Sequence, residues 1–155
     1  MIDREEYLER IRGATPAQRV SITFELAENF LSRAIEAKNT EKEMFAHYVS
    51  KTKNCLTQLI GGLDFNVPMA RDLYEIYLYI YKLLTRAYFR YGLEEAEEGL
   101  SLLAMLKSSF DFAAEQESGV FNSEEKKAQV FAGLTYRRGG LSEYVEQDHG
   151  RGYTV

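Results

Sequence analysis

Few side chains in this sequence are able to do chemistry. His47 and His149 are its two histidines, and Cys55 is its one cysteine. A metal site inside a helical bundle needs Glu-x-x-His pairs on two helices, with further carboxylates pointing inward. Glu43 precedes His47 by four positions rather than three, and no second pair exists. His47 belongs to the polar side of its helix, next to Lys51, and reads as a solvated surface group. Cys55 sits at the edge of an apolar stripe, and packing accounts for it. A single cysteine also excludes an internal disulfide and fits a reducing compartment. No glycine-rich loop follows a strand as a phosphate-binding loop must. Glu94, Glu95, Glu97 and Glu98 read as a solvated acidic run, with contact to a basic partner the lesser alternative. Arg137-Arg138 is too short for a nucleic-acid patch, and a net charge of −5 argues against such a ligand. The expectation is a protein that is not an enzyme, with no cofactor, no metal and no nucleic acid.

What the sequence has in abundance is tyrosine, 11 residues in all. Tyrosine is a binding residue: its ring is apolar, and its hydroxyl tolerates water. Four of the eleven, Tyr74, Tyr77, Tyr81 and Tyr88, recur at helical spacing within one segment.

Helices must position them. Hydrophobic residues make up 45% and charged residues 28% of a 155-residue chain with only two prolines, which predicts one globular domain of long helices. Tyr7, Leu8 and Ile11 share one face of a short amphipathic segment over 3–12, which Gly13 interrupts. Thr15-Pro16-Ala17-Gln18 is a capping box with proline in the first turn, and predicts a helix to about Lys38. Val20, Phe24, Ala27, Leu31, Ala34 and Ile35 form its stripe, widened by Leu26 and Phe30. Thr40-Glu41-Lys42-Glu43 repeats the box and starts a helix running to about Gly61-Gly62. A third long helix, about 68–91, has Asn66 as its expected cap, Pro68 in its first turn and Gly92 as its stop. The fourth spans about 93–117, with Ala96, Gly99, Leu103, Leu106, Phe110 and Ala113 as a heptad-like seam.

The fold class expected is all-α: an antiparallel up-and-down four-helix bundle with a short N-terminal helical segment, one domain over 1–118. Residues 119–155 are a C-terminal extension, expected to hold a short helix at 123–132 and then a mobile tail. The N-terminus lacks the apolar core of a signal peptide, and no stretch approaches the ~20 apolar residues of a membrane span, so a cytoplasmic location without membrane insertion is expected.

The helix over 68–91 is the anomaly. On a helical wheel Leu73, Ile76, Ile80, Leu83 and Ala87 form an aliphatic sector, and Tyr74, Tyr77, Tyr81 and Tyr88 adjoin it. A bundle core needs only the narrower stripe. The surplus, together with Leu26 and Phe30, predicts a groove for another helix or an extended segment. The face Tyr7-Leu8-Ile11 is the candidate cover for that groove when it is empty.

In order and spacing these segments resemble the FliS family, the export chaperones of flagellin, over about residues 13–117. Ala14-Thr15-Pro16-Ala17-Gln18-Arg19-Val20 is similar to that family's Ala-Ser/Thr-Pro opening. Leu59-Ile60-Gly61-Gly62-Leu63-Asp64 resembles its Leu-x-x-x-Leu-Asp. Ile76-Tyr77-Leu78-Tyr79-Ile80, then Leu84 and Ala87, resembles its Leu-Tyr-x-Tyr-Met, then Leu and Ala. Leu103, Leu106 and Phe110 stand where it has Leu, Leu and usually Trp. Val20, Gln58, Tyr88 and Phe110 depart from the pattern, and the chain beyond 119 is longer than the family's norm. The resemblance implies a cytosolic chaperone that binds the disordered C-terminal region of flagellin, prevents premature polymerisation and delivers it to the flagellar type III export apparatus. It also implies that the N-terminal segment (Tyr7, Leu8, Ile11) acts in switching and in contact with an export-gate component. The alternative is a structural homo-oligomer, a homodimer for instance, that buries the same surface against itself.

Overall fold

The computed structural model describes residues 3–118 and is helical nearly throughout. The elements are α1 (Arg4–Arg12), α2 (Pro16–Ala37), α3 (Lys42–Gly61), α4 (Pro68–Arg90) and α5 (Leu93–Ser118). The short helix expected at 123–132 and the tail after it lie outside the described residues.

Local chemistry explains most of the boundaries. Thr15 and Gln18 form the expected reciprocal box: the Gln18 amide donates to Thr15 Oγ1 at 3.2 Å, and the Thr15 amide donates to Gln18 Oε1 at 2.9 Å. Two expected caps are not made. Glu41, not Thr40, is the N-cap of α3, without a side-chain bond. The Thr40 hydroxyl instead donates to the Ala37 carbonyl at 3.2 Å, closing the end of α2. Val67, not Asn66, caps α4, because Asp64 accepts the Asn66 amide at 3.1 Å and makes that residue part of the preceding turn.

The end of α4 also shifts by one residue. Tyr91, not Gly92, takes the left-handed conformation, at φ 50 and ψ 43. The Gly92 amide then reaches back to the Ala87 carbonyl at 3.2 Å, as in a Schellman motif. A side chain in that backbone region costs about 1–2 kcal/mol. Tyr91 offsets it by packing on Phe45, with ring centroids 6.1 Å apart, and by receiving Lys42 Nζ 5.5 Å above its ring.

The four long helices form a closed ring: α2 packs on α3 and α5, and α4 packs on the same two. Short connections between successive helices make neighbours antiparallel. At the centre Phe24 of α2 meets Tyr77 of α4 at 6.0 Å and stacks on Phe110 of α5 at 5.6 Å. Gly99 lets α4 and α5 approach closely, since a Cβ there would stand 3.2 Å from Leu84 Cδ2. α1 lies outside the ring, against α2.

Two residues of α4 exchange expected places. Tyr77, assigned to the tyrosine sector, is fully buried, while Ile76, assigned to the core sector, is exposed. The buried line runs Leu73, Tyr77, Ile80, Leu84, Ala87. That line is centred on Tyr77, which leaves Ile76 on the shoulder.

Candidate functional site

Tyr74, Tyr81 and Tyr88 lie seven residues apart on α4, along its flank with α3. Tyr74 and Tyr81 are half-buried and pack against the core. Tyr88 is exposed, and beside it Phe89 reaches 73% exposure, the two rings meeting edge to face at 5.1 Å. At the other end of the line, Phe65 of the α3–α4 connection meets Tyr74 edge to face at 5.6 Å. From α3, Lys53 Nζ sits 4.7 Å above the Tyr81 ring and 5.7 Å from that of Tyr88. An exposed cation–π contact is worth about 0.5–1 kcal/mol. The flank is therefore an aromatic band, covered at Tyr81 and Tyr88 by one long, removable side chain. It can take an apolar segment with little rearrangement, because the rings are already held from below. Tyr77 has no part in this band.

The α2 residues form a second area. Phe30 is buried, stacked on Tyr48 of α3 at 6.3 Å, with Lys51 Nζ 5.7 Å from its ring. Arg33 lies 6.0 Å over the same Tyr48 ring. Lys51 is itself only 5% exposed. Burial pushes its ammonium below the ordinary lysine range; nearby Arg4 acts in the same direction and Cys55 opposes it.

Leu26 is half-buried and bridges two clusters. It packs on the main core and also on Tyr7, Ile11 and Ile22, the small cluster joining α1 to α2. α1 is held by more than apolar contact. Arg10 grips Glu25 with two bonds, of 3.2 and 2.7 Å, and Arg19 Nε donates to the Ile11 carbonyl at 3.2 Å. The N-terminal face Tyr7-Leu8-Ile11 thus rests on Ile22 and Leu26, and the tyrosine band is outside its cluster.

A single groove shared by the two surplus faces does not form. α2 and α4 stand diagonally in the ring, each packed mainly on α3 and α5. The two areas instead border α3 on opposite sides: Phe30 with Tyr48 and Lys51 on one, Tyr81 and Tyr88 with Lys53 on the other. The wheel of one helix gives no information about which neighbours stand between two faces.

Among the described residues the remaining titratable groups show no catalytic arrangement. His47 is exposed and meets Tyr48 edge-on at 5.4 Å, and Cys55 is buried. Among the described residues no three His, Cys, Asp or Glu come together as metal ligands. No helix among them is long and apolar enough to cross a membrane. In the acidic run Glu98 accepts a 2.7 Å bond from the Tyr79 hydroxyl, which raises the tyrosine's pKa. The sequence reading missed the lysines that lie over the rings. Their signal is visible in retrospect, since Lys51 interrupts the stripe Tyr48, Thr52, Cys55 on its own helix.

One family match agrees with this architecture. The family model described as flagellar protein FliS matches residues 4–117, and the chain belongs to that family. The match includes α1, which extends it beyond the motifs that begin at Ala14. No curated protein matches the chain. Membership gives it the general role of a flagellar chaperone.

Proposed function

We propose that this FliS-family chain is a cytosolic export chaperone for flagellin. It binds the disordered C-terminal region of the subunit, prevents premature polymerisation and passes it to the flagellar type III export apparatus. The observation that carries the reading is the aromatic band on the α3–α4 flank: Tyr74 and Tyr81 held half out of the core, Tyr88 exposed beyond them, and Lys53 lying over Tyr81 and Tyr88.

The physics suits such a client. A chain end that is disordered until assembly must be ordered on binding, at a cost of about 2–5 kcal/mol or more. A long interrupted apolar track offsets that cost better than one deep pocket. The band and the Leu26–Phe30 area lie on either side of α3, so a client engaging both crosses that helix and wraps the bundle. A client reaching Leu26 also displaces α1. Its released face, Tyr7, Leu8 and Ile11, then becomes free to meet an export-gate component, which couples loading to delivery.

Calorimetric titration with a peptide from the C-terminal end of the flagellin made by the same cell tests the proposal. Saturable binding is expected, weakened at least about tenfold by Tyr88→Asp with the helical content unchanged. A folded protein that takes up no peptide would overturn the reading. A stable dimer in sedimentation, dissociated by Tyr88→Asp, would assign the same face to self-association.

A further inference from the structure

The outer face of α5 differs from an ordinary solvated helix. Ser101, Ala104, Met105, Ser108, Ser109 and Phe112 are all exposed, and none is charged. Met105 is 67% and Phe112 is 59% exposed. Between Glu98 and Asp111 the sequence carries one charge, Lys107, and it turns toward α2, where it pairs with Asp111 at 2.6 Å and lies near Glu28. α4 also exposes apolar residues, Ile76, Tyr79 and Phe89 among them, but it sets charges beside them: Arg71, Asp72, Glu75, Lys82, Arg86 and Arg90 are exposed. The uncharged face of α5 therefore has two large apolar residues one heptad apart, with small side chains between them that leave room for another helix. At its N-terminal end the same side becomes acidic, with Glu94, Glu97 and Glu98 exposed.

We propose that this face is a docking site for the chain's own residues 120–138. The segment is tethered at the right end, since Gly119 directly follows the last residue of α5. Its sequence matches the face in order. Ser123 and Glu124-Glu125 can start a helix, Val130, Phe131 and Leu134 supply an apolar side, and Arg137-Arg138 follows. Folded back from Gly119, Val130, Phe131 and Leu134 come level with positions 104–108, beside Met105 and about one turn from Phe112. Arg137-Arg138 then arrives near the acidic end, because Arg137 lies about as far beyond Gly119 as Glu98 lies before it. As helices at ~1.5 Å per residue, both arms measure roughly 30 Å. The arginines and glutamates are opposite in sign, and a short tether gives an effective concentration on the order of millimolar. This inference is independent of the flagellin reading, and its test uses no client.

The test is amide hydrogen exchange on the full-length chain. Amides of 128–134 are expected to exchange at least about tenfold more slowly than in the same chain with Met105→Glu and Phe112→Glu. Both sites are exposed, so the amides of α2 to α4 serve as the control and keep their protection. Arg137→Glu with Arg138→Glu is expected to remove most of the slowing, and adding Glu94→Lys with Glu97→Lys to restore it. Exchange at the unstructured rate in the parent chain overturns the proposal, as does protection that ignores these substitutions. Protection that disappears on dilution, with a matching change in sedimentation, overturns it in favour of a second copy.

Discussion

Tyr77 and Tyr81 are one turn apart on the same helix and do opposite things. Tyr77 is fully buried and packs against Phe24 at the centre, where α2, α4 and α5 meet. Tyr81 is half-buried, and its other face meets solvent and the Lys53 ammonium. The central cluster is enclosed by the ring of helices, whereas the flank is backed by the ring on one side only. In this bundle the surroundings, rather than the residue type, decide whether a tyrosine is architecture or surface.

The largest expected effect comes from the enclosed side of that comparison. Phe24→Ala should cost about 3–5 kcal/mol of stability, because it removes a ring touching two others and leaves a cavity that the ring of helices cannot close. Thermal unfolding followed by circular dichroism measures it. A loss below about 1 kcal/mol would mean that the centre is loosely packed and the contrast with the flank is false. On the open side, Tyr88→Asp should change stability by no more than about 0.5 kcal/mol, since the residue is exposed. A cooperative loss of the fold would make Tyr88 part of the architecture.

α1 gives an intermediate case, since its contacts are buried but peripheral. Ile11→Asp should release it, because an unpaired carboxylate cannot remain in the small cluster with Tyr7 and Ile22. Faster proteolysis within residues 4–12 is expected, with the melting of the four-helix ring unchanged. Simultaneous loss of the ring would show that α1 is integral to the core.

The smallest effect concerns Lys51. Its folded-state pKa lies below that of the unfolded chain, so the unfolded state binds more protons between the two values. Stability should therefore rise slightly with pH across that window, and the penalty for burying the charge is fully present below it. Lys51→Met should flatten that slope in denaturation measured from neutral to alkaline pH. An unchanged slope would place the effect on other groups.

The bundle itself was legible because it depends on periodicity within each segment. The α2 box, the order of helices and the line Leu73, Ile80, Ala87 all follow from local spacing. The misplaced features depend on what stands beside a segment. Thr40 was free to turn back onto Ala37, and Asp64 claimed the Asn66 amide, because several nearby groups compete for each cap. Tyr77 and Ile76 exchanged roles because a shift of one position on a wheel is settled by neighbouring helices rather than by the sequence of α4. The lysines over the rings come from α3, so the sequence of α4 alone does not place them.

Three of the four sides of the ring join helices that follow one another in the chain, while the fourth joins α2 to α5. That side contains the Phe24–Phe110 stack and the bond from Ser21 to Asp111. Its partners are far apart in sequence, so the loop between them must lose its freedom before the contact contributes anything. Folding is then expected to proceed through quickly formed hairpins and to reach its barrier at this closing side. On the ribosome, α2, α3 and α4 emerge before α5, which leaves the inner face of Phe24 uncovered until the last long helix has been made.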